Sequence, residues 1–170
     1  DVSYYVTAGS PLDQEAFERG NSVYFPGSVV PMLPPELSNG ICSLNPGEDR
    51  LAFSALVELG EDTSIRSYRF VKSVIRSQVK GVYSEINTLY DGTASPEIQE
   101  KYGELKDTLF LMKDLASRLA QDRTRRGALD LESVESKIKL DENGVAVDIQ
   151  PRIQGISEGM IEEFMLVANQ

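Results

Sequence analysis

A chain of 170 residues, 41% hydrophobic and 26% charged, is long enough to bury about 70% of its unfolded surface in one compact domain, and it is neither low-complexity nor disordered. No apolar run approaches the roughly 18 residues a bilayer span needs, so no membrane partner is expected, and a net charge of −10 has the wrong sign for holding nucleic acid through the overall field. A single cysteine, Cys42, and no histidine exclude an internal disulfide, His-based catalysis and zinc sites of the His or multiple-Cys type, and favour a reducing compartment.

The chain starts without Met and without a charged, apolar or cleavable leader pattern, so it reads as a segment cut from a longer protein rather than a secreted one. Val2 to Val6 is β-branched and aromatic, which predicts a strand. After Gly9-Ser10-Pro11, Leu12 to Gly20 has helix formers, early acids and a glycine stop, which predicts a short helix. Asn21 to Gly47 holds five of the eight prolines, Pro26, Pro31, Pro34, Pro35 and Pro46, so regular structure there must be brief.

Leu51 to Leu59, a turn at Gly60-Glu61-Asp62, and Ile65 to Val79 predict a long β-hairpin. Its second half overlaps the fifteen residues from Arg66 to Lys80, which contain Arg66, Arg69, Lys72, Arg76 and Lys80 and no acid. That is either a local basic stripe or a solvated face. Tyr83 to Tyr90 predicts a helix ending at Asp91-Gly92, and Pro96 opens a long one to about Arg126, with Leu105, Leu109, Met112, Leu115 and Leu119 on one buried face and Gly127 as its stop. Ala128 to Leu140 and Val145 to Gln150, around Asn143-Gly144, predict a second hairpin, and Ser157 to Asn169 a last helix. The class is α+β, a mixed or antiparallel sheet with β-hairpins packed by helices, in one domain.

There is no glycine-rich phosphate loop, nucleophile elbow, Cys pair or Asp-x-Asp chelating arrangement. Two of the acidic pairs are weighed for chemistry, and of these Asp141-Glu142 sits in a predicted turn. Glu162-Glu163 lies on the apolar last helix about 100° apart, which lets one face water while the other points to a partner or ligand; a helix-boundary acid is the bland alternative.

The densest punctuation is Asn21-Ser22-Val23-Tyr24-Phe25-Pro26, then Val30-Pro31-Met32-Leu33-Pro34-Pro35 and Leu37-Ser38-Asn39-Gly40-Ile41-Cys42-Ser43-Leu44-Asn45-Pro46, followed by Asp49-Arg50-Leu51-Ala52. Prolines and glycines at this density fix an irregular path of the kind that often lines a site. With Asp1-Val2-Ser3-Tyr4-Tyr5-Val6, Leu12-Asp13-Gln14-Glu15-Ala16, Gly127-Ala128-Leu129-Asp130-Leu131-Glu132 and Phe164-Met165-Leu166-Val167-Ala168-Asn169, these motifs resemble, in order and over nearly the entire chain, the RNB catalytic domain of the ribonuclease II and ribonuclease R family of exoribonucleases.

The resemblance implies processive 3′→5′ hydrolysis of single-stranded RNA to nucleoside 5′-monophosphates with Mg2+, in the cytoplasm. In that family the metal-binding aspartates lie shortly before the motif at Asp1, and an arginine-bearing motif lies beyond the residues present here. Residues 1–170 thus correspond to a partial RNB domain. It is expected to be inactive and metal-free alone, and to be completed in the parent protein by both motifs and by flanking OB-fold RNA-binding domains.

By the same resemblance Tyr24 corresponds to a tyrosine that packs on a base near the 3′ end, stacking being open to every base. Glu163 corresponds to a glutamate that helps position the terminal nucleotide through its ribose hydroxyls, which would favour RNA over DNA. Leu131 stands where some relatives carry the phenylalanine of the clamp's other side; leucine offers apolar contact without the aromatic face. An RNA channel would draw positive charge from Arg66, Arg69, Lys72, Arg76 and Lys80, with Arg50 a further candidate, although Arg50, Asn39 and Asn45 suit roles in fixing the loop path better. A degenerate domain of the same fold, kept as a non-catalytic RNA- or protein-binding module, is the competing reading.

Overall fold

The opening segment, expected as a strand, is a single helical turn in the computed structural model of the protein: α1 (Val2–Tyr5), closed by Tyr4 N–H on Asp1 O at 3.2 Å and Val6 N–H on Val2 O at 2.9 Å. β propensity describes fitness for a pleated, half-buried surface. Here Asp1 is instead tied down by Lys72 and by its own amine on Leu51 O, while Tyr4 points to solvent. The structure describes residues 1–129, 136–151 and 153–170. Helix α2 (Pro11–Arg19) follows the predicted span, because Ser10 accepts from Asp13 N–H, Pro11 fits the first turn, and Gly20 at φ 73° ends it.

The proline-rich stretch holds two short strands, β1 (Val23–Phe25) and β2 (Ser28–Val30), and a wide helical turn, Glu36–Ile41, that breaks at Gly40. The predicted long hairpin is present as β3 (Asp49–Leu59) and β4 (Ile65–Arg76). A five-residue connection between paired strands leaves room only for an antiparallel turn. Next come α3 (Tyr83–Asp91), capped by left-handed Gly92, α4 (Pro96–Lys101), a 3-10 turn Gly103–Leu105, and α5 (Lys106–Arg125). β5 (Ser136–Leu140) pairs antiparallel with β6 (Ala146–Pro151), and α6 (Ile156–Asn169) closes the order. The α+β class holds, with the strands paired two by two in three separate sheets.

The uninterrupted helix expected from Pro96 to Arg126 is therefore broken at Tyr102. Gly103 costs a helix interior about 1 kcal/mol relative to Ala. Tyr102 is 1% exposed, and its hydroxyl donates to Glu85 Oε2 at 2.6 Å while accepting Val82 N–H at 3.1 Å. Lys101 Nζ reaches the same Glu85 oxygen at 2.6 Å, and these two bonds hold the Glu85 carboxyl below its usual range. A buried phenol with two partners outweighs helix continuity, since leaving it unbonded costs about 1–3 kcal/mol.

The chain groups into two compact units, each assembled from separated stretches. The first takes its described residues from Asp1–Ser54, Phe70–Gln78 and Val134–Arg152, the second from Ala55–Arg69, Val79–Ser133 and Ile153–Gln170. The second owns the aliphatic and aromatic core, in which Ile86, Leu89 and Tyr90 of α3, Tyr102, Ala116 of α5 and Met160 of α6 pack together. Tyr90 donates its hydroxyl to Leu109 O at 2.9 Å and meets the Phe110 ring edge-on at 5.4 Å. Full burial of an aliphatic side chain as large as Ile86, Leu89 or Met160 contributes about 1.5–3 kcal/mol. In the first unit Ala52 is the one buried hydrophobic residue among those described. No described helix is long and apolar enough to cross a membrane.

The start of α6 is fixed by a polar knot inside the second unit. Asn87 of α3 donates to Glu158 Oε2 at 2.9 Å and accepts Ser157 N–H at 2.9 Å. Gly155 N–H also reaches Glu158 Oε2, at 3.1 Å, and the fully buried Ser157 hydroxyl lies 3.1 Å from Tyr83 O. Sequence spacing predicted the helix here but not this anchor, which sets the rotation of α6 and so decides where Glu163 points.

Candidate functional site

In the first unit, Tyr24 sits in the middle of β1 opposite Val29, and its side chain is 76% exposed. The ribbon that carries it is held at both ends. Phe25-Pro26-Gly27-Ser28 turns with Gly27 at φ 77°, as a Pro-Gly type II turn requires, and a Cβ on Gly27 would lie 2.9 Å from Leu140 Cδ1. At the base, Ser22 Oγ accepts Met32 N–H at 2.9 Å, and Arg19 Nη1 donates to Pro31 O at 3.2 Å. A pinned backbone with an open phenol ring is the arrangement a base-stacking platform needs.

Arg50 spends its guanidinium on the loop: Nε donates to Ser43 O at 2.9 Å, Nη1 to Asp49 O at 3.2 Å, and Nη2 pairs with Glu48. Asn45 accepts from the Ser43 hydroxyl at 3.4 Å, and Asn39 is exposed on the wide helical turn. The basic run of β4 finds acids from other stretches. Lys72 pairs with Asp1 and Arg76 with Asp49, each at 2.7 Å. Arg66, Arg69 and Lys80 are exposed and form no ion pair among the described residues. Arg66 stands beside Asp62, whose carboxyl is held below its usual range first by the Ser64 hydroxyl and N–H and then by this guanidinium. Phe53 and Phe70 stack nearly parallel in the first unit at 5.9 Å, both exposed.

In the second unit Glu163 is the buried acid of its pair, with a side chain 8% exposed. It lies on the α6 face that also carries Ser157 and Met160, both buried. A carboxylate on that face needs a cation, and Arg123 in the last turn of α5 supplies it: Nε and Nη2 both donate to Oε1, at 3.0 and 2.7 Å. The neighbouring Asp122 is taken by Arg125 and Arg126 at 3.4 and 3.3 Å. Glu163 borders an open cavity of about 460 Å3 whose walls include Ser64, Ile65, Leu119, Arg126 and Leu166. One wall is the β3–β4 turn, where Thr63 adopts φ 66° and Glu61 O is bonded by Arg118.

Arg123 was not singled out from the sequence. The signal for it was an acid on the apolar stripe of α6, combined with the cation-rich Arg123-Thr124-Arg125-Arg126 that closes α5. Leu131 lies outside the described residues. Among the described residues no three His, Cys, Asp or Glu side chains come together as a metal site would require, so these residues by themselves do not fit a divalent cation.

The family profile of the RNB domain matches residues 1–170. Ribonuclease R of Thermotoga maritima is 48% identical over 171 residues, covering all of this chain and 24% of the relative. Mycoplasma genitalium RNase R in complex with ribose methylated single-stranded RNA superposes with a TM-score of 0.91 at 31% identity, covering 99% of this chain and 26% of that one. The same enzyme in complex with double-stranded RNA gives 0.92 at 31%, covering 99% and 30%. The chain thus spans about a quarter of the length of the proteins it matches.

Proposed function

The chain belongs to the RNB domain family, and from that premise we propose that it is the central part of a ribonuclease R-type exoribonuclease. The complete protein would hydrolyse single-stranded RNA processively from the 3′ end to nucleoside 5′-monophosphates, in the cytoplasm. Mg2+ would be bound by side chains beyond these residues, and flanking OB-fold domains would add RNA affinity. Residues 1–170 would supply substrate contacts rather than the cutting centre: Tyr24 a stacking surface for a base near the 3′ end, Glu163 an acceptor for ribose hydroxyls, and Arg66, Arg69 and Lys80 local positive charge.

The observation that carries this reading is Tyr24. Its ring stands three-quarters exposed on a ribbon whose backbone is otherwise fixed, in a chain 48% identical to a protein named Ribonuclease R. Arg50, Lys72 and Arg76 are engaged by their own chain, and their part is to hold loop and strand geometry.

The complete protein tests it, incubated with a 5′-labelled single-stranded oligoribonucleotide with and without Mg2+. A ladder shortening from the 3′ end, with mononucleotide release only when Mg2+ is present, is the expected result. Cleavage at internal positions, or none, would overturn it. The competing reading is a non-catalytic binding module of the same fold. RNA binding with no Mg2+-dependent shortening in the same assay would select that reading.

A further inference from the structure

We infer that Arg123 is the positioning residue for Glu163: it orients the carboxylate so that one oxygen is locked and the other is presented to the cavity as a hydrogen-bond acceptor. The inference rests on the reading of Glu163 as a ribose contact and deepens it.

The usual arginine–carboxylate fork runs two parallel bonds, one to each oxygen, so that neither oxygen is left without a donor. Arg123 does otherwise, since Nε and Nη2 converge on Oε1 alone. Oε2 then has no hydrogen bond among the described residues, yet no buried side-chain oxygen among them lacks a partner, so this atom is not sealed into the core. Glu163 lines the open cavity beside α5 and α6.

Burial in the α5–α6 interface fixes the rest of the side chain, and the knot of Asn87, Ser157 and Glu158 fixes the rotation of the helix that carries it. The neighbouring acid Asp122 pairs with Arg125 and Arg126. A charged acceptor held with one free oxygen, beside apolar walls from Ile65, Leu119 and Leu166, suits a vicinal hydroxyl group, and an acceptor discriminates against the analogue that lacks the donor. An ion pair serving only stability would gain nothing from leaving an oxygen unbonded.

The test uses the complete protein in chelator, so that no Mg2+-dependent cleavage occurs. Fluorescence anisotropy compares an oligoribonucleotide with the same oligomer carrying a 2′-deoxy 3′-terminal nucleotide. A charged hydrogen bond corresponds to a wild-type preference of about tenfold or more for the ribose end. Arg123→Ala should bring that ratio to about one while leaving affinity for the deoxy-ended oligomer within about twofold. Arg123→Lys, which keeps the charge but not the two-donor grip, should fall between.

An Arg123→Ala protein with the wild-type ratio, or with both affinities lowered equally, would overturn the inference. If alanine does not fold, Arg123→Lys decides: a wild-type ratio overturns it and a reduced one supports it. Glu163→Ala separates the two levels. Loss of the preference there, with retention in Arg123→Ala, sinks the positioning role alone, whereas retention in Glu163→Ala sinks the ribose contact and the positioning role together.

Discussion

At the scale of single residues, exposure separates Tyr24 from a core tyrosine. Tyr102 and Tyr90 bury their rings and bond their hydroxyls to their own chain, and among the described residues Tyr24 does neither. Stacking of one base on one ring contributes about 1–3 kcal/mol, which matters most when few nucleotides remain bound. In the complete protein, Tyr24→Ala should therefore lengthen the final undegraded oligonucleotide by at least a nucleotide, while the rate on long substrates changes less than about threefold, and Tyr24→Phe should behave as wild type. Denaturing gels of the limit digest read this directly, and an unchanged end product in Tyr24→Ala would remove the ring from the path. Tyr24 was singled out in the sequence through its proline-rich setting, and the structure leaves its ring open. The Glu163 environment was not legible there, because the helix repeat places an acid on a face without naming the cation that meets it across forty residues of chain.

At the scale of elements, helix ends were readable wherever a side chain or a backbone angle enforces them. Ser10-Pro11 and Ser95-Pro96 start helices with the serine accepting from the backbone, and Gly20 and Gly92 stop them at positive φ. The two failures share a cause. Val2–Tyr5 and Tyr102–Leu105 are short stretches whose local propensity is overruled by contacts with residues far along the chain, Leu51 and Lys72 in one case, Val82 and Glu85 in the other. The same logic gives opposite signs for two glycines of the last helix. A Cβ at Gly155 would fall 2.1 Å from Asn87 Nδ2 and 2.6 Å from its Cγ, and Asn87 cannot turn away without giving up Ser157 and Glu158. At Gly159 nothing lies within 4 Å. Gly155→Ala should cost about 2 kcal/mol, lowering Tm by roughly 4–8 °C. Gly159→Ala should raise Tm by about 2–4 °C through helix propensity. Thermal unfolding followed by circular dichroism distinguishes them, and a neutral Gly155→Ala would show that the knot at the head of α6 yields.

At the scale of the whole molecule, the charge arithmetic and the ion pairs converge. A net −10 repels a polyanion, and two of the five cations between Arg66 and Lys80 are already matched by Asp1 and Asp49. The composition showed the first fact but not the second, since an acid-free run of sequence says nothing about which acids fold back upon it. About three cations, Arg66, Arg69 and Lys80, then remain for phosphates, so the salt slope of single-strand binding should be about −2, from roughly 0.7 counterions released per contact. Residues 1–170 expressed alone should bind a labelled oligoribonucleotide weakly, with log affinity falling no more steeply than that against log salt, and should not shorten it when Mg2+ is added. A slope near −5, or Mg2+-dependent shortening that survives repurification, would mean that these residues hold a polyanionic groove or metal ligands of their own. The catalytic division of labour proposed here would then be wrong, because the domain would carry within itself what the described side chains do not bring together.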